Sequence, residues 1–190
     1  MTRRAAIKNE IAIMRKIEEN ENVVKLIDAF TDTREAILVL EFCGGGELLD
    51  VLEKQDYEGF TEEKVARYSY QLLNALYFTH KAGVVHLDLK PENILCSEDA
   101  TVLKITDFGL SLDVSNPEVD VRAMQGTPDY MSPEQINFER ITQKTDMWSI
   151  GVIIYLLQKK SVKNKISFNR FCINQFYQFL FIFRFASIRR

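Results

Sequence analysis

Apolar residues at Ile7, Ile11, Met14 and Ile17 recur at helical spacing, so the sequence predicts a helix from about Arg3 to Ile17 with one apolar face. Glu10 falls inside that face, where a carboxylate either needs a cation beside it or must reach water from the stripe's edge. The period then changes: Val23 to Phe30 and Ala36 to Phe42 read as two strands joined by a polar connection, a hairpin-like unit. Thr61 is a good N-cap, followed by Glu62 and Glu63 at the positive end of a helix dipole. That helix should run to about Lys81 and stop near Gly83, with Val65, Leu72, Leu73, Leu76 and Tyr77 as its core stripe and His80 as a capping or packing residue. Leu103 to Thr106 alternates as a short strand, whereas Ser111 to Gln125 is polar, contains Asn116-Pro117 and has no period, so it reads as a loop. From Thr145 to Leu157 the chain is apolar nearly all round, as a centrally buried helix should be.

Composition changes this picture little until charge is divided along the chain. A length of 190 residues with 46% hydrophobic content fits one globular domain or slightly more. Residues 159–190 carry eight basic side chains and no acid, so with a net charge of -3 overall the first 158 residues carry -11. Cys43, Cys96 and Cys172 are widely spaced and odd in number, which indicates neither a disulfide framework nor a zinc site. The start has no apolar signal region and no apolar run reaches membrane-spanning length, so a cytoplasmic protein is expected.

The chemistry is concentrated in His86-Leu87-Asp88-Leu89-Lys90-Pro91-Glu92-Asn93. Asp88 can orient and deprotonate a hydroxyl, Lys90 can balance charge on a moving phosphoryl group, and Asn93 can hold magnesium, the set that phosphoryl transfer requires. An Asp-x-Lys pair alone on a surface loop is more often a solvated pair than a catalytic one. A second motif follows: the strand ending at Thr106 runs into Asp107-Phe108-Gly109, where an acid at a strand end can aim at a bound cation while the backbone turns away. Third, in the same order, comes Gly126-Thr127-Pro128-Asp129-Tyr130-Met131-Ser132-Pro133-Glu134. The triple glycine at 44–46 is not followed by Lys-Ser/Thr, so a Walker-type phosphate loop is rejected.

These three motifs resemble those of a eukaryotic serine/threonine protein kinase, with Ser-Pro-Glu in place of Ala-Pro-Glu. His-Leu-Asp-Leu-Lys-Pro-Glu-Asn, Gly-Gly-Glu-Leu and Asp-Met-Trp-Ser-Ile-Gly are most similar to the calcium/calmodulin-dependent group, particularly myosin light chain and death-associated kinases. The resemblance implies an α+β, two-lobed kinase-like fold, with a partial kinase domain at 1–158: an N-lobe remnant at 1–42, then hinge and C-lobe at 43–158. It implies Asp88, Lys90, Asn93 and Thr127 as catalytic residues, with Thr127 contacting Asp88 and Lys90. It places ATP against Glu10, Leu40, Glu41, Cys43, Glu47, Leu95 and Asp107, the backbones of Glu41 and Cys43 taking adenine, Glu47 the ribose, and Leu40 acting as gatekeeper. Magnesium would sit on Asn93 and Asp107. The implied partner is a protein bearing serine or threonine, with calmodulin-type regulation in the complete protein. His86 would be structural beneath Phe108, and Asp146 would brace the catalytic-loop backbone.

Two departures temper the expected activity. In the family Glu10 pairs with a strand lysine, yet Lys8 precedes Glu10 by two residues in the same helix, and positions i and i+2 do not face each other. No Gly-x-Gly-x-x-Gly precedes it either, so the residues given are expected to be an incomplete kinase domain, short of its first strands and last helices, and as written not a competent kinase, with phosphotransfer near background. The basic, Phe-rich segment 159–190 shows no match to the family by motif. It is expected to be either a calmodulin- or membrane-binding stretch or an unselected read-through. Its aromatic spacing fits no single amphipathic face, which favours the read-through, and membrane contact is not expected. No nucleic-acid partner is expected. The rival to catalysis is an inactive kinase fragment acting as a binding or regulatory module. A pseudokinase is disfavoured because Asp88, Asn93 and Asp107 are all present.

Overall fold

The structure, a computed structural model, describes residues 3–17, 20–32, 36–55 and 59–158. The basic segment 159–190 and the hairpin connection 33–35 lie outside these residues. In chain order the elements are α1 (Arg3–Lys16), β1 (Leu26–Thr31), β2 (Ala36–Leu40), α2 (Leu48–Glu53), α3 (Glu62–Lys81), β3 (Val84–Val85), β4 (Ile94–Cys96), β5 (Leu103–Ile105), β6 (Leu112–Asp113), α4 (Pro133–Ile136) and α5 (Gln143–Gln158). Single tight turns stand at Pro91–Asn93 and Pro128–Tyr130, each started by a proline whose fixed φ suits a first helical position.

The helix α1 buries Ile11, Ile13 and Met14, with Ile7 half-buried, and Ile17 is buried just past its end. Ile13 widens the apolar face to roughly 160°, at ~100° per residue, and leaves Glu10 near its middle. The strands β1 and β2 form the expected antiparallel hairpin, Phe30 opposite Ile37 and Ala29 opposite Leu38, with a bulge between Leu26 and Asp28. Leu26 and Leu38 pack on the core, while Ile27, Phe30, Ile37 and Phe42 stand exposed. Regular pairing begins at Leu26 and not Val23, because residues 22–24 turn aside to join β5: Val24 N donates to Ile105 O and Ile105 N to Asn22 O, both at 2.9 Å. The short pairs β3–β6 and β4–β5 complete three two-stranded sheets.

Thr61 caps α3 by accepting from Lys64 N at 3.4 Å, and the helix ends at Lys81 as its sequence predicts. Its buried stripe is Val65, Tyr68, Leu72, Ala75, Leu76 and Thr79. The expected Leu73 and Tyr77 are instead 40% and 64% exposed, since each lies one position past a buried residue and turns away from the core. Tyr68 enters the core because its hydroxyl finds Ala100 O at 2.6 Å. The helix α5 packs across α3 with Ile150, Ile153 and Leu157 nearly fully buried, although Met147 on its outer side is exposed. Its first turn delivers Asp146 to the loop between β3 and β4.

Candidate active site

The loop from His86 to Asn93 takes its shape from the groups that accept its backbone hydrogens. Asp146, 1% exposed, accepts from His86 N at 2.9 Å and Leu87 N at 3.0 Å, and its Oδ2 also lies 2.8 Å from His80 Nε2. This double anchor lets Leu87 hold a left-handed φ of 69°, a conformation non-glycine residues rarely adopt. The His86 ring sits 4.9 Å from the buried Phe108 ring, and its Nε2 is 3.0 Å from Thr106 O, so it pins the loop to the segment that ends in Asp107. His80 and His86 are therefore both positioning residues.

Four sequence-predicted residues converge. The Thr127 hydroxyl donates to Asp88 Oδ1 at 2.7 Å and accepts from Lys90 Nζ at 2.9 Å, while Lys90 Nζ stands 3.1 Å from Asp88 Oδ2. One hydroxyl has one hydrogen to give and lone pairs to accept with, and here both are used. Asn93 Nδ2 donates to Asp88 O at 2.8 Å and to Oδ2 at 3.0 Å, which leaves its amide oxygen as a ligand for a hard cation. Asp88 is 8% exposed, so these partners act on a carboxylate largely removed from water.

Thr127 reaches Asp88 because of the glycine before it. Gly126 has φ 117°, and a side chain there would bring its Cβ within 2.4 Å of Leu87 O, so no other residue fits this crossing of the two segments. Gln135, fully buried, clamps the same crossing by donating to Leu87 O at 3.2 Å and Gln125 O at 2.8 Å. Motif reading does not single out Gln135. The available signal is the Ser-x-x-Gln spacing of a capping box, realised as Gln135 N to Ser132 Oγ at 3.3 Å and Ser132 N to Gln135 Oε1 at 3.0 Å. Glu134 accepts from Thr145 Oγ1 at 2.9 Å.

The expected nucleotide side is less complete. Asp107, exposed and at φ 61°, accepts from Gly109 N at 3.2 Å. Glu10 projects from α1 toward it, and burial together with the charge of Asp107 raises the Glu10 pKa above the usual carboxylate value. Among the described residues no cation pairs with Glu10, and Lys8 is exposed on another face of α1. At the expected hinge, Glu41 turns its side chain to Lys104 at 2.9 Å and to Lys25 N at 2.7 Å, a brace the sequence did not suggest. Leu40 is partly exposed, and burial and Glu41 push the Cys43 thiol up. Glu47 precedes α2 and bridges Leu95 backbone to backbone, so those two expected ligands are neighbours. A cavity of about 510 Å³ under α1 and β1 shares only Glu41 with the expected nucleotide residues and lies apart from Asp88, Asn93 and Asp107.

A model of one protein family, the protein kinase domain, matches residues 1–184. The chain belongs to the protein kinase family. This kinase chain is 42% identical over 156 residues to the serine/threonine-protein kinase 17A of Oryctolagus cuniculus, covering 81% of the chain and 39% of that protein. It is 41% identical over 152 residues to the smooth-muscle myosin light chain kinase of Gallus gallus, covering 80% of the chain and 8% of that protein. It is 41% identical over 149 residues to the skeletal/cardiac myosin light chain kinase 2 of Rattus norvegicus, covering 78% and 24%. The kinase chain thus spans well under half the length of these relatives, and the similarity to the myosin light chain and kinase 17A group agrees with the motif reading.

Proposed function

We propose that the chain serves, in the protein to which it belongs, to transfer the γ-phosphoryl group of ATP to a serine or threonine hydroxyl of a protein substrate. The observation that carries this reading is the Asp88–Lys90–Thr127 triangle, closed at 2.7 to 3.1 Å. Asp88 orients the acceptor hydroxyl and takes its proton, Lys90 offsets charge on the moving group, and Thr127 holds both in register. Asn93 and Asp107 offer the oxygen donors that suit magnesium, which uses one or two protein oxygens plus phosphate and water. When bound there it neutralises charge on the phosphates. The hinge carbonyl of Glu41 and the neighbouring Leu95 and Glu47 fit the nucleotide's base and sugar.

The test is to incubate the purified chain with magnesium-ATP and a basic serine peptide, using Asp88→Asn as the blank. Phosphopeptide above the blank supports the reading, at a rate at least about 10² to 10³ below a typical kinase and close to background, because Glu10 pairs with no cation among the described residues and no Gly-x-Gly-x-x-Gly precedes it. A second reading, an inactive fragment acting as a binding or regulatory module, is favoured by that same unpaired Glu10. It wins if turnover equals the blank while magnesium-nucleotide still binds. Calmodulin-type regulation and a cytoplasmic location belong to the first reading. Adding calcium and calmodulin to the peptide assay with no change in rate removes the former.

A further inference from the structure

The cavity under α1 and β1 takes no part in the chemistry above, yet its wall is built from separate stretches of chain: the end of α1, residues 20–26, Glu41 and Lys104. At about 510 Å³ it falls within the range of roughly 300 to 1,000 Å³ that small-molecule sites occupy. Met14, Ile17, Val23 and Val24 line it, each no more than 8% exposed, so its floor is aliphatic and takes an apolar body.

The polar part of the wall divides by what is already satisfied. Lys104 stands 2.9 Å from Glu41, and the two charges cancel, while Glu41 also accepts from Lys25 N at 2.7 Å. Lys25 has a partner of its own. Asn20 Oδ1 accepts from Asn22 N at 2.8 Å, which leaves the Asn20 amide hydrogens to donate. Arg15 and Glu21 are left. Both line the cavity and both are exposed, so they stand at its mouth, and among the described residues neither forms an ion pair.

We propose that this cavity binds a zwitterion with an apolar body, of which an apolar α-amino acid is the simplest. The side chain lies on the floor of Met14, Ile17, Val23 and Val24, the carboxylate meets Arg15 and the ammonium meets Glu21. A guanidinium offers parallel N–H donors that match the two oxygens of a carboxylate, and Asn20 adds a further donor at the same mouth. A ligand with the acid alone would set an anion beside Glu21, and one with the amine alone would set a cation beside Arg15. Each of these is a like-charge contact that selects against the half-matched ligand. The site is separate from the nucleotide residues, since the one it shares with them, Glu41, already has its carboxylate on Lys104. Nothing in it depends on the phosphotransfer reading.

The experiment titrates the full chain, labelled at methionine and isoleucine methyl groups, with L-phenylalanine and follows the methyl resonances by NMR. Met14 and Ile17 should shift and saturate, with a Kd on the order of 1 mM for a ligand of this size. Met147 and Ile37, exposed apolar residues away from the cavity, should not. Hydrocinnamate, which lacks the ammonium, and phenethylamine, which lacks the carboxylate, should each bind at least about threefold more weakly. Arg15→Gln should remove the advantage of phenylalanine over phenethylamine, and Glu21→Gln its advantage over hydrocinnamate. Both positions are exposed, so neither change disturbs the core. No saturable shift at Met14 and Ile17 below about 20 mM overturns the proposal. So do equal shifts at Met147 and Ile37, equal binding of the three compounds, or an order of affinity that both variants keep. Loss of the methyl response on adding magnesium-ATP would place phenylalanine in the nucleotide site and overturn it as well.

Discussion

Removing the Asp146 carboxylate should undo the catalytic loop from behind. The side chain accepts two backbone hydrogens at 2.9 and 3.0 Å and contacts His80 at 2.8 Å, all at 1% exposure. A hydrogen bond to a charged group is worth about 1.5 to 3 kcal/mol, and water cannot replace the acceptor here, so Asp146→Ala should cost about 3 to 6 kcal/mol. Against a domain stability of roughly 5 to 15 kcal/mol this is a large fraction. Asp146→Asn should cost about half as much. Its amide oxygen can keep Leu87 N, but its amide nitrogen then faces the His86 N–H, donor against donor. Urea unfolding followed by the single tryptophan, Trp148, measures the total. Hydrogen exchange at residues 86 and 87 locates it. If the alanine variant unfolds within about 1 kcal/mol of the parent, or if alanine and asparagine behave alike, the brace is not what holds the loop.

Glu10→Gln should raise the melting temperature at pH 7. Burial and Asp107 raise the Glu10 pKa in the folded state, so ionisation opposes folding above that pKa and the penalty fades as pH falls through the ordinary carboxylate range, where the difference from the parent should vanish. Asp113 has the opposite sign: its pKa is lowered to about 2, first by its bond to Lys16 and then by Ser115, so its stabilisation is present above about pH 4 and lost as pH falls toward 2. Asp113→Asn should therefore flatten the acid limb of a stability profile, by no more than about 1 kcal/mol because the pair is half exposed. Gly126→Ala should destabilise by at least about 2 kcal/mol and abolish the contact of Thr127 with Asp88, read as loss of peptide phosphorylation. In the complete protein, Ser111 and Ser115 both changed to alanine should leave kcat within a few-fold, and a hundredfold fall would show that loop phosphate is needed for turnover.

Much of this was legible because the motifs are local. Asp88, Lys90 and Asn93 lie within a single octapeptide and are gathered by reading the chain in order, whereas Thr127, 39 residues from Asp88, joined them only through what the family resemblance implies. The α1, α3 and α5 helices were legible for a similar reason: a cap such as Thr61 and a period of 3.6 are written in adjacent residues. What escaped was set by contacts distant in sequence. Tyr68 is core because of Ala100, thirty-two residues on, and Glu41 is braced by Lys104, sixty-three residues on. Neither pairing leaves any period or spacing to read. Ser111 opens a polar stretch without period, yet its hydroxyl donates to His86 O and burial closes it off.

Leu87 connects these observations. Many kinases place an arginine there to gather a phosphate on the activation loop by charge-assisted bonds, and leucine cannot do so. In the structure Leu87 is 3% exposed and packs with Val85, Ala123 and Ile141, flanked by Leu112, Val114 and Val121. The loop between Asp107 and Gly126 is thus held to the catalytic segment by apolar contact at Ala123 and Val121, by the Ile141 N to Val121 O bond at 2.8 Å, and by the Gln135 clamp. An apolar fastening needs no modification to form. A phosphate on this chain's loop consequently has no basic pocket at Leu87 to order it. The nearest recorded ammonium to a loop serine is Lys16, 3.5 Å from Ser115, and that cation already serves Asp113. Leucine at position 87 therefore commits the segment to apolar contact and backbone bonds, which form whether or not the loop is phosphorylated.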